Sequence, residues 1–373
     1  MSNSMESKNL TISIASWADV LPKDWYDWKW QYNNRIHTIP QLASVSNVTR
    51  TTLEKWRTVV RSYPFSITPF YFSLMNVADE DDPLRIQCFP DQKEIDFSLG
   101  GVADPLEEER DMPVPGLVHR YPDRCLTITT NTCATYCRHC NRKRMWKRTG
   151  TEDNRRYLPR MIDYISKTVS IREVIISGGD PLTMEESTLE WFLGSLRSIP
   201  HVEVLRIGSR IPVVMPMRIT RQLCSMLRKY RPLWLNTQFN HPNEITPEAA
   251  RACEMLLETG IPVSNQSVLL RNVNDNYETI RELLYGLQRI SVRPYYLFQC
   301  DPVKGTDHFR TDIWSGIKIM EKLWRNISGL CMPQYVVDIP GGKGKFPLCP
   351  FSLFSEEGIE IDEHFFDKRG EVN

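Results

Sequence analysis

No sign of charge dominates this chain: 46 Lys and Arg are balanced by 46 Asp and Glu, so nothing global points to nucleic acid as a partner. Long hydrophobic runs are also missing. No apolar stretch reaches the roughly 18 residues of a membrane helix. The first 30 residues carry Asp19, Asp24 and Asp27 and lack the apolar core of a secretory signal. A cytoplasmic protein without membrane or nucleic-acid partners is therefore expected. In that setting the ten cysteines read as reduced thiols rather than disulfides. Most are expected to be small buried apolar residues, with a subset that binds metal.

The subset stands out in the stretch from Thr130 to Arg144, where Cys133, Cys137 and Cys140 fall at C-x3-C-x2-C spacing. One short loop can wrap three thiolates at this spacing around a compact metal object. An iron–sulfur cube normally takes four thiolates; with three, one iron stays open to a small molecule. A zinc site closes with four Cys or His ligands in two short pairs, and no second pair lies near. Cys125, eight residues upstream, belongs to the strand that feeds the loop. A closed metal site and three structural thiols are the rival readings.

Around that loop the chain alternates. Apolar, β-branched runs at Cys125–Thr130, Glu173–Ser177, Val202–Gly208, Leu233–Gln238, Pro262–Val268 and Arg293–Gln299 are separated by helix-like stretches such as Leu189–Ser198, Thr220–Tyr230, Pro247–Thr259 and Tyr277–Ile290. Strands and helices alternating about every 30 residues imply parallel βαβ units. The expected fold class is thus α/β, a partial (β/α)6 TIM-like barrel over residues 116–330. A mostly helical region, 1–115, precedes it, with Trp25, Trp28 and Trp30 as packing anchors. A short C-terminal extension, 331–373, follows, with one more apolar run at Gln334–Asp338, a Gly-rich loop, and an acidic stretch beyond Pro350 with no assignable task.

In parallel barrels reactive residues gather where strands end, and several candidates stand there. Ser177-Gly178-Gly179-Asp180 follows the second strand; its glycines let backbone approach a ligand, and its carboxylate can accept from an ammonium. Asp301 and Asp338 end apolar strands, where an unpaired charge is costly to bury; each could equally cap a helix or pair with Arg or Lys. The loop from Pro340 to Lys345 is not a phosphate-binding P-loop, because Ile339 stands where that motif needs Gly. A flexible loop carrying Lys345 could bring an amine to an aldehyde. The basic run from Arg142 to Arg148 has Glu152 and Asp153 beside it and reads poorly as a nucleic-acid patch.

Tyr136-Cys137-Arg138-His139-Cys140 and the basic run after it resemble the radical S-adenosylmethionine (SAM) signature in the variant carried by the lysine 2,3-aminomutase family; the commonest radical SAM pattern has an aromatic at position 139. The resemblance runs from about Trp25 to Pro350 and includes Ile207-Gly208-Ser209-Arg210, Phe239-Asn240-His241-Pro242-Asn243-Glu244-Ile245 and His308-Phe309-Arg310-Thr311. It implies an isomerase with a 4Fe-4S cluster on Cys133, Cys137 and Cys140, and SAM held by Gly178, Gly179, Asp180 and Gln266. Pyridoxal phosphate (PLP) would be anchored by Lys345 with Arg120 and Arg124 nearby. Arg142 would grip the substrate carboxylate through its planar fork, and Asp301 and Asp338 the distal ammonium. Family members that act on glutamate lack this acidic pair.

The implied reaction moves the α-amino group of a basic amino acid, L-lysine first and arginine second, to the β-carbon. An external electron donor such as a flavodoxin or ferredoxin is implied, and also a homo-oligomer, although the short C-terminal region leaves its tightness in question. Alternatives are a PLP-free radical SAM epimerase or dehydratase and a metal-stabilised binding module. Two departures from the family pattern matter. Gln238 stands where well-known members have His, and Asn276 stands at a zinc-binding Cys position, so no zinc is expected.

Overall fold

The structure, a computed structural model, describes residues 17, 19–46, 48–96, 100–148 and 153–348; the acidic stretch beyond Pro350 lies outside them. One nine-stranded sheet runs in chain order, β1 (Leu117–Tyr121), β2 (Arg124–Ile128), β3 (Glu173–Ser177), β4 (Val204–Gly208), β5 (Leu233–Thr237), β6 (Val263–Leu269), β7 (Arg293–Gln299), β8 (Gln334–Ile339) and β9 (Gly344–Pro347). Strands β2 to β8 are parallel, and antiparallel β1 and β9 flank them. The crossovers carry α1 (Leu158–Lys167), α2 (Glu186–Arg197), α3 (Arg221–Arg228), α4 (Pro247–Glu258), α5 (Tyr277–Arg289) and α6 (Ile313–Asn326). This is the expected partial TIM-like barrel. It is larger than six strands because Gln334–Ile339 adds a seventh parallel one.

Burial along the strands explains the curl. In β3, Val174 and Ile176 are buried, whereas Glu173, Ile175 and Ser177 are half-buried; β4 repeats this with Leu205 and Ile207 against Val204, Arg206 and Gly208. Side chains alternate across a strand. One face therefore packs on the helices, through Leu189, Phe192 and Leu196 of α2 and Leu223 and Leu227 of α3, in one continuous core. Each such buried side chain contributes about 1.5–3 kcal/mol. The other face, partly polar, surrounds open space.

Side-chain caps set the starts of four of these helices: Thr220, Thr246, Asn276 and Asp312 accept from Leu223, Ala249, Thr279 and Ser315 backbone N–H groups. Asn276 thus has a structural task, the N-cap of α5. Among the described residues seven helices precede the barrel, from Pro22–Trp25 to Lys93–Asp96, and this region places Trp56, Tyr71, Phe72 and Phe89 in the same core. Trp25 packs between Trp17 and Trp30, and the Arg218 guanidinium lies 4.4 Å from the centre of the Trp28 ring. The six described cysteines outside the loop are buried and unpaired. Among the described residues no helix is long and apolar enough to cross a membrane.

The sequence reading placed Lys345 on a flexible loop, and the structure corrects this. Gly341 and Gly342, with φ of 77° and 71°, turn the chain in the left-handed region that glycine adopts without strain. The returning residues form β9, which pairs with β8 and sets Lys345 opposite Asp338.

Candidate active site

Inside the curl lies a cavity of about 590 Å³, and all thirteen candidate residues named from the sequence line it. They come from β1, β2, the cysteine loop after β2, the turn after β3, β6, the loop after β7, β8 and β9.

The cysteine loop is clamped from below by the N-terminal region. Tyr136 N–H donates to Ser66 O at 2.9 Å, Arg138 N–H to Gln87 O at 2.8 Å, and Arg35 Nη1 to Cys133 O at 2.8 Å. Arg138 is fully buried; its Nη2 lies 2.5 Å from Glu94, and Lys143 Nζ meets the same carboxylate at 2.6 Å. Burial pushes the Glu94 carboxyl up, but Arg138 and Lys143 outweigh it and hold it below its ordinary value. The three cysteines themselves are half-buried and free. Burial, and then neighbouring Cys137, push the Cys140 thiol up to about 11. Burial likewise raises Cys133. A bound cation would favour the thiolate forms of Cys133 and Cys140.

At the turn after β3, an added Cβ on Gly178 or Gly179 would collide with the backbone at Thr130 and Thr132, at 2.7 and 2.3 Å. The glycines therefore allow this turn to lie directly on the start of the cysteine loop. Asp180 borders the cavity, but its oxygens already accept from Ser209 Oγ at 2.7 Å, Arg210 N–H at 2.8 Å and Leu182 N–H at 3.0 Å. It ties the turn to the loop after β4 while still lining the cavity. Burial raises it to about 6, opposed by these hydrogen bonds. Gln266, half-buried, makes no side-chain hydrogen bond among the described residues and is open to a ligand.

At the other end, Lys345 Nζ donates to Asp338 Oδ1 at 3.1 Å. Asp301 is pushed up to about 7 by burial and by Asp338, against hydrogen bonding from Asn141 and the Lys345 charge. Arg142 lies nearby with its fork occupied: Nε and Nη2 donate to Glu108 at 3.0 and 2.7 Å. Despite burial, Arg142 and Arg144 hold the Glu108 carboxyl down at about 2. Arg120 donates to Asp111 at 2.8 Å, and the Arg124 guanidinium lies 3.8 Å from the centre of the Tyr121 ring.

Residues 127–284 match the Radical SAM superfamily. The L-lysine 2,3-aminomutase of Clostridium subterminale is 48% identical over 92% of this chain and 82% of that protein. The enzyme of the same name from Acetoanaerobium sticklandii is 48% identical over 94% and 85%. The glutamate 2,3-aminomutase of Clostridioides difficile is 41% identical over 90% and 79%. The chain belongs to the lysine 2,3-aminomutase family. It is accordingly an isomerase, and the cofactors of this family are a 4Fe-4S cluster, SAM and PLP.

The cavity fits these groups. Cys133, Cys137 and Cys140, half-buried, without disulfide partners and lining the cavity from one loop, would supply three thiolates to the cluster. Lys345, Arg120 and Arg124 share the cavity with the orphaned, buried Tyr121 hydroxyl, a set able to hold an aldehyde and a phosphate.

Sequence reasoning missed Arg210, Glu108 and His139. Arg210 was noted only as part of a matching motif, yet its Nη1 donates to Cys137 Sγ at 2.9 Å. Glu108 gave no signal because its meaning depends on Arg142, 34 positions away. His139 is buried and kept neutral by burial and by Arg210 and Lys143; its Nε2 lies 3.1 Å from Gln238 Nε2. The departure at Gln238 thus faces another side chain of the cysteine loop.

Proposed function

We propose that the chain converts L-lysine to β-lysine by moving the α-amino group to the β-carbon. Cys133, Cys137 and Cys140 hold the cluster, the turn at Gly178 and Gly179 together with Gln266 holds SAM, and Lys345 with Arg120 and Arg124 holds PLP. When bound, the cluster and SAM supply a hydrogen-abstracting radical, and PLP supplies the aldehyde that carries the migrating nitrogen.

The chain's own residues position the amino acid. Arg142 offers Nη1, which has no partner among the described residues, to the substrate carboxylate, while Glu108 fixes the rest of the guanidinium. Asp301 and Asp338 take the distal ammonium. Once Lys345 Nζ is committed to the aldehyde, the Asp338 carboxylate is left for that cation. The surrounding sheet keeps water and stray hydrogen donors away.

The observation that carries this reading is the pair of half-buried Asp301 and buried Asp338 in the same cavity as Lys345 and the cysteine loop. Two adjacent carboxylates, one driven toward protonation, favour a cation between them and repel the side chain of glutamate. Anaerobic incubation with SAM, PLP and a strong reductant tests it, with lysine, arginine and glutamate offered separately and β-amino products identified by mass spectrometry. Lysine is expected to give the dominant product; preferred conversion of glutamate, or conversion of none, would overturn the reading.

A further inference from the structure

Among the contacts of the three cysteines one is unlike the others. Cys140 Sγ accepts a backbone N–H from Arg142 at 3.4 Å, whereas Cys137 Sγ accepts a guanidinium N–H from Arg210 at 2.9 Å. Arg210 is buried, and its other nitrogens are fully engaged. Nη2 donates to Glu244 at 2.5 Å, to Gln87 Oε1 at 2.7 Å and to Tyr71 Oη at 3.1 Å, and Nε donates to Gln238 O at 3.3 Å. Its backbone N–H is held by Asp180. Glu244 is itself fully buried and accepts from Asn240 N–H at 2.6 Å and from Tyr71 Oη at 2.7 Å. The guanidinium thus cannot swing away. The sulfur sits on one side and the carboxylate on the other, an oriented dipole with its positive end on Cys137.

We propose that Arg210 is a positioning residue that raises the reduction potential of the cluster, with Glu244 moderating it from behind. The inference rests on the reading that Cys133, Cys137 and Cys140 hold the cluster. A sulfur bound to iron keeps lone pairs that accept such a hydrogen bond, and charge and hydrogen bonding at the sulfurs are main determinants of cluster potential. One-electron reduction by an external donor adds a negative charge to the cluster. A fixed cation at one ligand sulfur favours the reduced state, and in a buried site that preference is weakly screened. The buried Glu244 carboxylate opposes it from farther away. The two residues therefore act with opposite sign on one measurable quantity. A purely structural role, in which either loss merely loosens the loop, has no reason to produce opposite shifts.

The test reconstitutes the full-length protein, Arg210→Gln and Glu244→Gln anaerobically with iron and sulfide. Iron is counted, and the reduced-cluster electron paramagnetic resonance signal is followed at poised potentials. The Arg210→Gln midpoint should move to more negative potential and that of Glu244→Gln to more positive. At the potential that half-reduces the unaltered protein, the ratio of reduced to oxidised cluster should fall severalfold in the first and rise in the second. An unmoved midpoint, or shifts of the same sign, would overturn the inference. If Arg210→Gln loses its iron, the Glu244→Gln shift decides alone. Failure of the unaltered protein to take up a cluster would instead overturn the reading of the cysteines, so the two failures are distinguishable.

Discussion

The two ends of the cavity handle buried charge in opposite ways. Beneath the cysteine loop, Arg138, Lys143 and Glu94 are mutually satisfied without any ligand, and Glu94 stays ionised because two cations face it. At the lysine end the pairing is incomplete. Asp338 has Lys345, but Asp301, with a hydrogen bond from Asn141 and the Lys345 charge among the described residues, is still pushed toward its neutral form by burial and by Asp338. A closed set of charges builds a platform. An open set is where a charged ligand gains the most, since its arrival completes the pairing.

The contrast can be broken at either end. Cys137→Ala should have the largest effect, complete loss of activity with iron falling from about four per chain, checked by iron and sulfide analysis. Lys345→Ala should abolish activity and the visible absorbance of bound PLP while iron stays at the unaltered level; retained PLP absorbance would show that the lysine on β9 is not the anchor. Glu94→Ala should leave Arg138 and Lys143 buried and uncompensated and lower folding stability by about 3–5 kcal/mol, measured by denaturant unfolding. Loss of less than about 1 kcal/mol would mean that Glu94 does not hold the two cations in place.

The open end gives finer tests. Asp301→Asn should raise KM for lysine by about 10- to 100-fold, the equivalent of about 1.5–3 kcal/mol for a charged hydrogen bond, with iron and PLP content unchanged. The same residue fixes a pH dependence. In the ligand-free protein Asp301 is raised to about 7, so below that pH it must lose a proton to receive the ammonium. Affinity for lysine should therefore climb as pH rises toward about 7 and level off above it, and Asp301→Asn should remove that limb. The smallest effect is remote from both ends. Asn276→Ala should cost about 1 kcal/mol of stability through the lost cap of α5, with kinetics unchanged.

What could be read from the sequence follows how local each signal is. The parallel strands and most crossover helices were visible because their apolar periods and caps lie within ten or so residues; Thr220, Asn276 and Pro247 mark helix starts in the chain itself. The cysteine loop was legible for the same reason, three ligands within eight positions. Strands β1 and β9 were missed because neither is an apolar, β-branched run: β1 carries His119 and Arg120, and β9 carries Gly344, Lys345 and Pro347; both take their form from the antiparallel neighbours they pair with.

The sequence by itself determined the alternation of strand and helix, the three thiols on one loop, and the residue types available for an amino acid and its cofactors. Tertiary structure alone decided which charges are already answered. Asp180 is tied to Ser209 and Arg210, Arg142 is braced by Glu108, Arg210 reaches Cys137, and Asp301 is raised by burial and by Asp338. The physical reason is that burial and charge pairing depend on distances between residues far apart in the chain, which only the curled sheet brings within a few ångströms of one another.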